Sequence, residues 1–388
     1  MDVTQPAAYP LDPFPDYERM RATAPVFQDD RSGSWHVFRY DDVQRVLSEH
    51  ATFSSRMGGD NPSGSGQLFA ASLITTDPPR HRQLRSLVTQ AFTPKAVDAL
   101  APRIAELTDE LLEGIAARGS ADLIKELAYP LPVIVISELM GIPAEDRERF
   151  KQWSDVIVSQ TQSGPAGGGD DATAAEMIGY FLALIDQRRS RPGEDLISTL
   201  LAAEIDGQKL TVPELLGFCS LLLVAGNETT TNLIGNAVFC LAESPGTLER
   251  VLEEPDLLPQ TLEEVLRFRS PVQSMYRVSV AETFLGDQRI PAGAPIVAWI
   301  GSANRDEQQF QRPAEFDVDR SPNRHLAFGH GVHFCLGAPL ARLEARIALE
   351  ALLARLPGLS LAPEAQLERM ESTIVYGLKA LPVRWLPA

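Results

Sequence analysis

Residues 328–337 read FGHGVHFCLG and carry the densest chemistry in the 388-residue chain. An alanine- and leucine-rich segment follows from about Pro339, so the one thiol of the stretch, Cys335, stands at the start of a predicted helix. A thiolate there is stabilised by free backbone N–H groups and by the positive end of the helix dipole. Gly329, Gly331 and Gly337 allow a tight loop and the close approach of a flat ligand. Two other readings compete. Cys335 taken alone is a small buried hydrophobe, the commonest role of a free cysteine. His325, His330, His333 and Cys335 together supply four zinc donors within eleven residues. The spacing F-G-x-G-x-H-x-C-x-G argues against both, because at average residue frequencies it arises by chance in such a chain with a probability on the order of one in a million.

Upstream, Thr211 and Glu214 have the spacing of a capping box and Pro213 suits a first helical turn, so a long helix is expected to follow. From Leu215 to Ala242 its only ionisable side chain apart from Cys219 and Cys240 is Glu228, and its first half is apolar all round. A run of this length can span a bilayer. Against that stand Asn227, Glu228, Thr229, Thr230, Thr231 and Asn232, consecutive polar residues at the centre, where a carboxylate alone costs several kcal/mol in lipid. In a protein core the cluster is either a satisfied network that fixes packing or a functional site. Gly226 just before it removes a side chain and allows a ligand near the backbone.

The remaining sequence bounds the class. With 44% hydrophobic and 22% charged residues the chain can bury a large core. Lys and Arg number 35 against 52 Asp and Glu, a net charge of −17 that disfavours nucleic acid and anionic lipid as partners. Cys219, Cys240 and Cys335 are too scattered for a disulfide framework, which fits a reducing cytoplasm. The first ten residues have neither the basic nor the apolar region of a signal peptide, and a cytoplasmic protein is expected. Helical periodicity runs through residues 94–117, 124–139, 177–188 and 340–356, and strand-like alternation through 35–39, 276–280 and 296–300. These predict a mainly α (α+β) fold, helix-rich with small β-sheets. Residues 57–67 and 163–171 are glycine- and serine-rich, and composition serves linkers and lid loops equally well.

The motif of residues 328–337 resembles that of the cytochrome P-450 superfamily, haem-thiolate monooxygenases, and in particular its soluble bacterial members. The resemblance implies that Cys335 is the proximal iron ligand of haem b, its thiolate pushing electron density toward O–O cleavage. Phe328, Gly329 and Gly337 then line the cofactor. Four further landmarks appear in family order. Ala225, Gly226, Asn227, Glu228, Thr229 and Thr230 are similar to the oxygen-activation motif, which makes Glu228 and Thr229 the catalytic proton relay and Ala225 a cofactor contact. Glu264 and Arg267 form the ExxR pair, joined by Arg320 of FDVDR, as structural support for the cysteine loop, although an i, i+3 pair alone reads as a surface salt bridge. His81 and Arg85, four apart after Asp77, Pro78 and Pro79, match the propionate ligands, joined by Arg277 and His333.

The resemblance further implies a single haem domain over residues 1–388, acting as a monomer and inserting one atom of dioxygen into a hydrophobic organic substrate. No convincing dinucleotide motif and no length for a fused reductase domain are present, so electrons are expected from a separate ferredoxin and ferredoxin reductase. Arg80, Arg82, Arg85, Lys95 and Arg103 against Asp98, with Arg342 and Arg346 against Glu344, suggest its docking surface. The substrate pocket is expected in residues 57–75, at Leu222 and on to Thr229, at Val272, Gln273, Ser274 and Met275, and at Ile374 and Val375, with Gln273 and Ser274 as its polar handles. A peroxide-driven enzyme would replace Glu228 and Thr229, a haem-based gas sensor would need an output module, and a haem-free binding protein would be colourless.

Overall fold

The Thr211 hydroxyl accepts a hydrogen bond from the Glu214 N–H, and the Glu214 carboxylate accepts one from the Thr211 N–H at 2.9 Å. This reciprocal cap starts a helix that runs from Val212 to Glu243, with Pro213 in its first turn. The computed structural model describes residues 10–56, 71–90, 92–150, 152–153, 156, 171–205 and 207–386, and this helix is its axis. Residues 57–67 lie outside the described residues, as does 163–171 apart from Asp171.

In chain order the described helices are α1 (Phe14–Thr23), α2 (Tyr40–Ser48), α3 (Arg80–Thr89), α4 (Pro94–Asp98), α5 (Ala101–Ala116), α6 (Pro130–Leu139), α7 (Asp171–Ser190), α8 (Leu196–Ala202), the axial α9 (Val212–Glu243), α10 (Pro245–Glu253), α11 (Leu258–Phe268), α12 (Ile300–Ala303) and α13 (Ala338–Arg355). Proline divides two segments that periodicity alone reads as continuous. Pro102 in the first turn of α5 cannot donate to the preceding turn, so residues 94–117 become α4 and α5. Pro130 likewise opens α6 after a π turn at Ile124–Ala128. α9 packs against α6, α11 and α13, and α13 packs against α5. Leu223, Leu233, Ile234, Phe239, Leu349 and Leu352 are buried in that shared core.

The three expected strand segments meet in one sheet. β1 (Val26–Gln28), β2 (Trp35–Val37), β3 (Phe53–Ser54), β5 (Met275–Ser279) and β8 (Pro295–Ala298) lie in the order β1-β2-β8-β5-β3, while β4 (Ser120–Asp122), β6 (Thr283–Leu285), β7 (Gln288–Ile290), β9 (Ser360–Leu361) and β10 (Pro382–Arg384) make two smaller sheets. β2 runs parallel to β8, with Trp35 opposite Ile296, and β5 runs antiparallel to it, with Met275 opposite Ala298. β1 and β3 are too short to show an alternation of their own. A separate apolar core under this sheet includes Val37, Val43, Phe53, Ile296 and Phe310. No described helix is long and apolar enough to cross a membrane.

Candidate active site

The chain from Leu326 to Cys335 closes on itself before α13 begins. The Gly329 N–H donates to the Leu326 carbonyl and the Cys335 N–H to the Phe328 carbonyl, both at 2.8 Å. Gly329 (φ +73°) and Gly331 (φ +71°) take left-handed conformations, and a Cβ on Gly331 would stand 2.8 Å from the Ser48 Cα. The backbone N–H groups of Gly337 and Ala338, at the start of α13, donate to the Cys335 sulfur. Burial pushes the thiol up from its usual range, while these two donors and the charges of Arg85 and Arg342 act in the opposite direction. Among the described residues no group of three or more His, Cys, Asp or Glu could hold a metal ion. His325 pairs instead with Glu263 at 3.1 Å, and His333 Nε2 with the Ser55 hydroxyl at 3.0 Å. Cys219 and Cys240 are buried, and burial raises both thiols.

Cys335 faces an apolar cavity walled by α9, by the approach to β5, by the cysteine loop and by α13. Ala225, Gly226, Thr229 and Thr230 line it, and Ala225 is exposed to it in the middle of a largely buried helix. The Thr229 hydroxyl donates to the Ala225 carbonyl at 2.7 Å. Glu228 is buried in the same helix but is not part of the described wall. The space beside Gly226 serves helix packing as well as the cavity, since a Cβ there would stand 2.9 Å from Ile136 Cδ1 of α6.

At one side of the cavity Arg85, Arg277 and His333 meet, with His81 against His333 at a ring-centroid separation of 4.2 Å. Both ring nitrogens of the buried His81 are without a partner, and neither Arg85 nor Arg277 has a carboxylate partner among the described residues. Burial, with Arg85 second, lowers the His81 proton affinity to about 4. Burial, with His81 second, lowers that of His333 to about 3, and burial lowers that of Arg277 to about 10. The cluster is short of negative charge, and a ligand bearing two carboxylates supplies what it lacks. Phe328, Gly329, Gly337, Leu336 and Ala341 complete a surface around Cys335 that suits a flat apolar ring system. The residues present therefore fit haem b.

Glu264 and Arg267 are not a surface pair. Both side chains are 0% exposed. Arg267 also donates to the carbonyls of Asn304, Pro313 and Glu315, and Glu264 accepts from Arg320 at 3.2 Å and Asn323 at 3.1 Å.

Of the expected substrate-pocket residues, Leu222, Val272 and Met275 line the cavity, with Leu73 and Ile74 from the described end of the 57–75 stretch. Gln273 and Ser274, expected as its polar handles, are not part of its described lining. Gln273 accepts from the Tyr17 hydroxyl at 3.1 Å and donates to the Ser270 carbonyl at 2.7 Å, while the Ser274 hydroxyl donates to the Thr373 carbonyl at 3.0 Å. Both are fully buried and spend their polarity on partners behind the wall: a side-chain hydroxyl and a nearby carbonyl for Gln273, the backbone of a crossing segment for Ser274. Ile374 and Val375 brace the wall without forming part of its described lining: the Gln273 N–H donates to the Ile374 carbonyl and Val375 bridges Val272. Sequence reasoning missed Glu344 as a cavity residue. It is buried on the apolar face of α13, its Oε2 has no partner, and burial pushes its carboxyl up to about 8.

The local cation excess is largely cancelled across the fold. Arg80 pairs with Glu214 at 2.7 Å, Arg103 with Glu138 at 3.0 Å, Arg342 with Glu263 at 2.6 Å and Arg346 with Glu350 at 3.0 Å. Arg85 faces the cavity. Arg82 and Lys95 remain exposed without an ion pair among the described residues.

A thiolate under helix N–H groups, opposite a threonine in a mainly apolar cavity, is the setting of a haem-thiolate oxidase. Residues 172–385 match the Cytochrome P450 family, and the chain belongs to it. It is 46% identical over 386 residues to cytochrome P450 109 of Bacillus spizizenii, covering 96% of this chain and 92% of that one. It is 42% identical to the erythromycin C-12 hydroxylase of Saccharopolyspora erythraea over 94% of this chain and 92% of that one. The crystal structure of CYP109E1 from Bacillus megaterium in complex with testosterone superposes with a TM-score of 0.88 at 46% identity, covering 96% and 99% of the two chains. The protein is thus a cytochrome P450 monooxygenase with the P450 fold, and haem b is the cofactor of its family.

Proposed function

We propose that this enzyme inserts one oxygen atom from dioxygen into a medium to large hydrophobic molecule, by hydroxylation or epoxidation, as one haem domain acting as a monomer in the cytoplasm. Two electrons and two protons are consumed for each turnover, and the second oxygen atom leaves as water. The observation that carries the reading is Cys335, held by the Gly337 and Ala338 N–H groups against an apolar cavity that also contains Thr229. Cys335 is the metal ligand, and His81, Arg85, Arg277 and His333 hold the cofactor's carboxylates. Bound there, haem supplies the oxidising chemistry.

The chain's own residues do the rest. The two N–H donors favour the anionic form of the sulfur against the effect of burial and fix its direction. Leu222, Val272 and Met275 exclude water and orient an apolar substrate by shape. Thr229, now turned to the Ala225 carbonyl, offers a hydroxyl that rotates toward the cavity, and Glu228, the residue before it in the helix, supplies protons to it. The relative crystallised with testosterone and the erythromycin C-12 hydroxylase support a substrate of medium to large size. Electrons come from a separate ferredoxin and its reductase, and the exposed Arg82 and Lys95 favour an acidic partner.

Candidate steroids and macrolides incubated with the enzyme, a ferredoxin, a reductase and isotopically labelled dioxygen test the reading. It requires one labelled atom per product molecule. Product labelled only from water, or substrate loss without labelled product, would contradict it.

A further inference from the structure

The side-chain amide of Asn304 joins the two walls of the cavity. Asn304 follows α12 and is 0% exposed. Its Oδ1 accepts from the Leu326 N–H at 2.6 Å, and its Nδ2 donates to the Ser270 hydroxyl at 2.7 Å. Leu326 immediately precedes Ala327, Phe328 and Gly329 on the thiolate side; Ser270 immediately precedes Pro271 and Val272 on the substrate side. Its backbone carbonyl accepts from Arg267 at 3.0 Å, so the amide is anchored on the buried ion pair as well.

The direction of the amide is determined by its partners. The Ser270 hydroxyl gives its proton to the Leu266 carbonyl at 2.6 Å, so toward Asn304 it can only accept. Nδ2 must therefore face Ser270, which leaves Oδ1 for Leu326. The Leu326 carbonyl in turn receives the Gly329 N–H at 2.8 Å, and the Phe328 carbonyl receives the N–H of Cys335 at 2.8 Å. A continuous chain of bonds thus runs from Ser270 to the backbone of Cys335.

We propose that Asn304 is a positioning residue for the thiolate: by holding the Leu326 N–H it fixes the start of the cysteine loop, and so keeps Cys335 where the Gly337 and Ala338 N–H groups reach its sulfur. Loss of the oxygen acceptor lets the loop start shift and weakens that cradle. The direction of the sulfur, and with it native ligation, is then less firmly held. This inference rests on Cys335 being the iron ligand.

The test compares haem-loaded Asn304→Ala, Asn304→Asp and Ser270→Ala with the unaltered enzyme. After reduction under carbon monoxide, the share of haem-loaded protein showing the red-shifted thiolate band is measured against the share lacking it, with the melting temperature beside it. Asn304→Ala should raise the share lacking the band at least fivefold. Asn304→Asp retains an oxygen toward Leu326, and Ser270→Ala retains Asn304 itself, so both should keep the unaltered share while melting earlier. Where Asn304→Ala does not fold, Asn304→Ser, whose oxygen falls short of the Leu326 N–H, replaces it. An unchanged share in the Ala or Ser variant, or an equal rise in Ser270→Ala, overturns the proposal. Absence of the thiolate band from the unaltered enzyme would instead overturn the ligand assignment.

Discussion

Arg267 donates to both carboxylate oxygens of Glu264, at 2.8 and 2.7 Å, and neither side chain reaches solvent. Removing one partner of such a pair leaves a buried uncompensated charge and costs about 3–5 kcal/mol. Arg267→Ala should be the more damaging change, because it also frees the carbonyls of Asn304, Pro313 and Glu315. Denaturant titration should show the loss, with Arg267→Lys intermediate because an ammonium cannot span the carboxylate and three carbonyls. Stability within 1 kcal/mol of the unaltered protein, as at an exposed i, i+3 pair, would contradict the structural role.

Thr229→Ala should bind substrate and consume reductant near the normal rate, while releasing hydrogen peroxide in place of most product. Glu228→Gln should lower turnover by roughly a hundredfold with a larger solvent isotope effect, since a positioned acid or base contributes about 10²–10⁴-fold. If the polar cluster only fixed packing, both variants would melt earlier with product per reductant unchanged. Measuring that ratio beside the melting temperature separates the two.

Glu344 gives a pH signature. Its folded carboxyl titrates at about 8 through burial, whereas in an unfolded chain it titrates near 4.5. The folded state therefore binds more protons between these values, and this group makes stability fall as pH rises from about 4.5 to about 8. Glu344→Gln removes that contribution, so the variant should gain stability relative to the unaltered protein across this window, with the difference level above pH 8. Parallel stability curves would show Glu344 to be ionised or paired in the folded protein.

Docking of a ferredoxin is tested best at Arg82. Charge reversal at Arg80 or Arg342 would leave Glu214 or Glu263 without its partner and disturb the fold. Arg82→Glu and Lys95→Glu should slow electron transfer several-fold at low salt and flatten its salt dependence, with substrate affinity unchanged. Equal rates at low ionic strength would place the docking surface elsewhere.

The cysteine loop and the polar centre of α9 were readable because their signals are local: glycines, a thiol and an acid at fixed spacing within one element. The ExxR pair was readable only through resemblance, since nothing in its spacing distinguishes a buried pair from an exposed one. Gln273 and Ser274 misled because polarity next to a cavity segment does not say whether a side chain turns toward the cavity or toward partners behind it, here Tyr17 and Ser270 for Gln273 and Thr373 for Ser274. Arg80 finds Glu214, and Arg342 finds Glu263, across long stretches of chain, so a local charge count could not anticipate their neutralisation. Glu344 left one trace in the sequence, an acid in phase with Leu340, Ile347 and Ala348 on an apolar helix face.

The most direct measurement is the absorption spectrum of the reduced carbon monoxide complex. The unaltered enzyme should show the red-shifted band of thiolate ligation, and Cys335→Ser should lose it. Cys219→Ala and Cys240→Ala should keep it, since both thiols are buried away from the cavity, Cys219 packing in the core and Cys240 accepting from Arg269 at 3.3 Å. Persistence of the band in Cys335→Ser, or its loss in either of the other two, would contradict the assignment of Cys335 as the iron ligand.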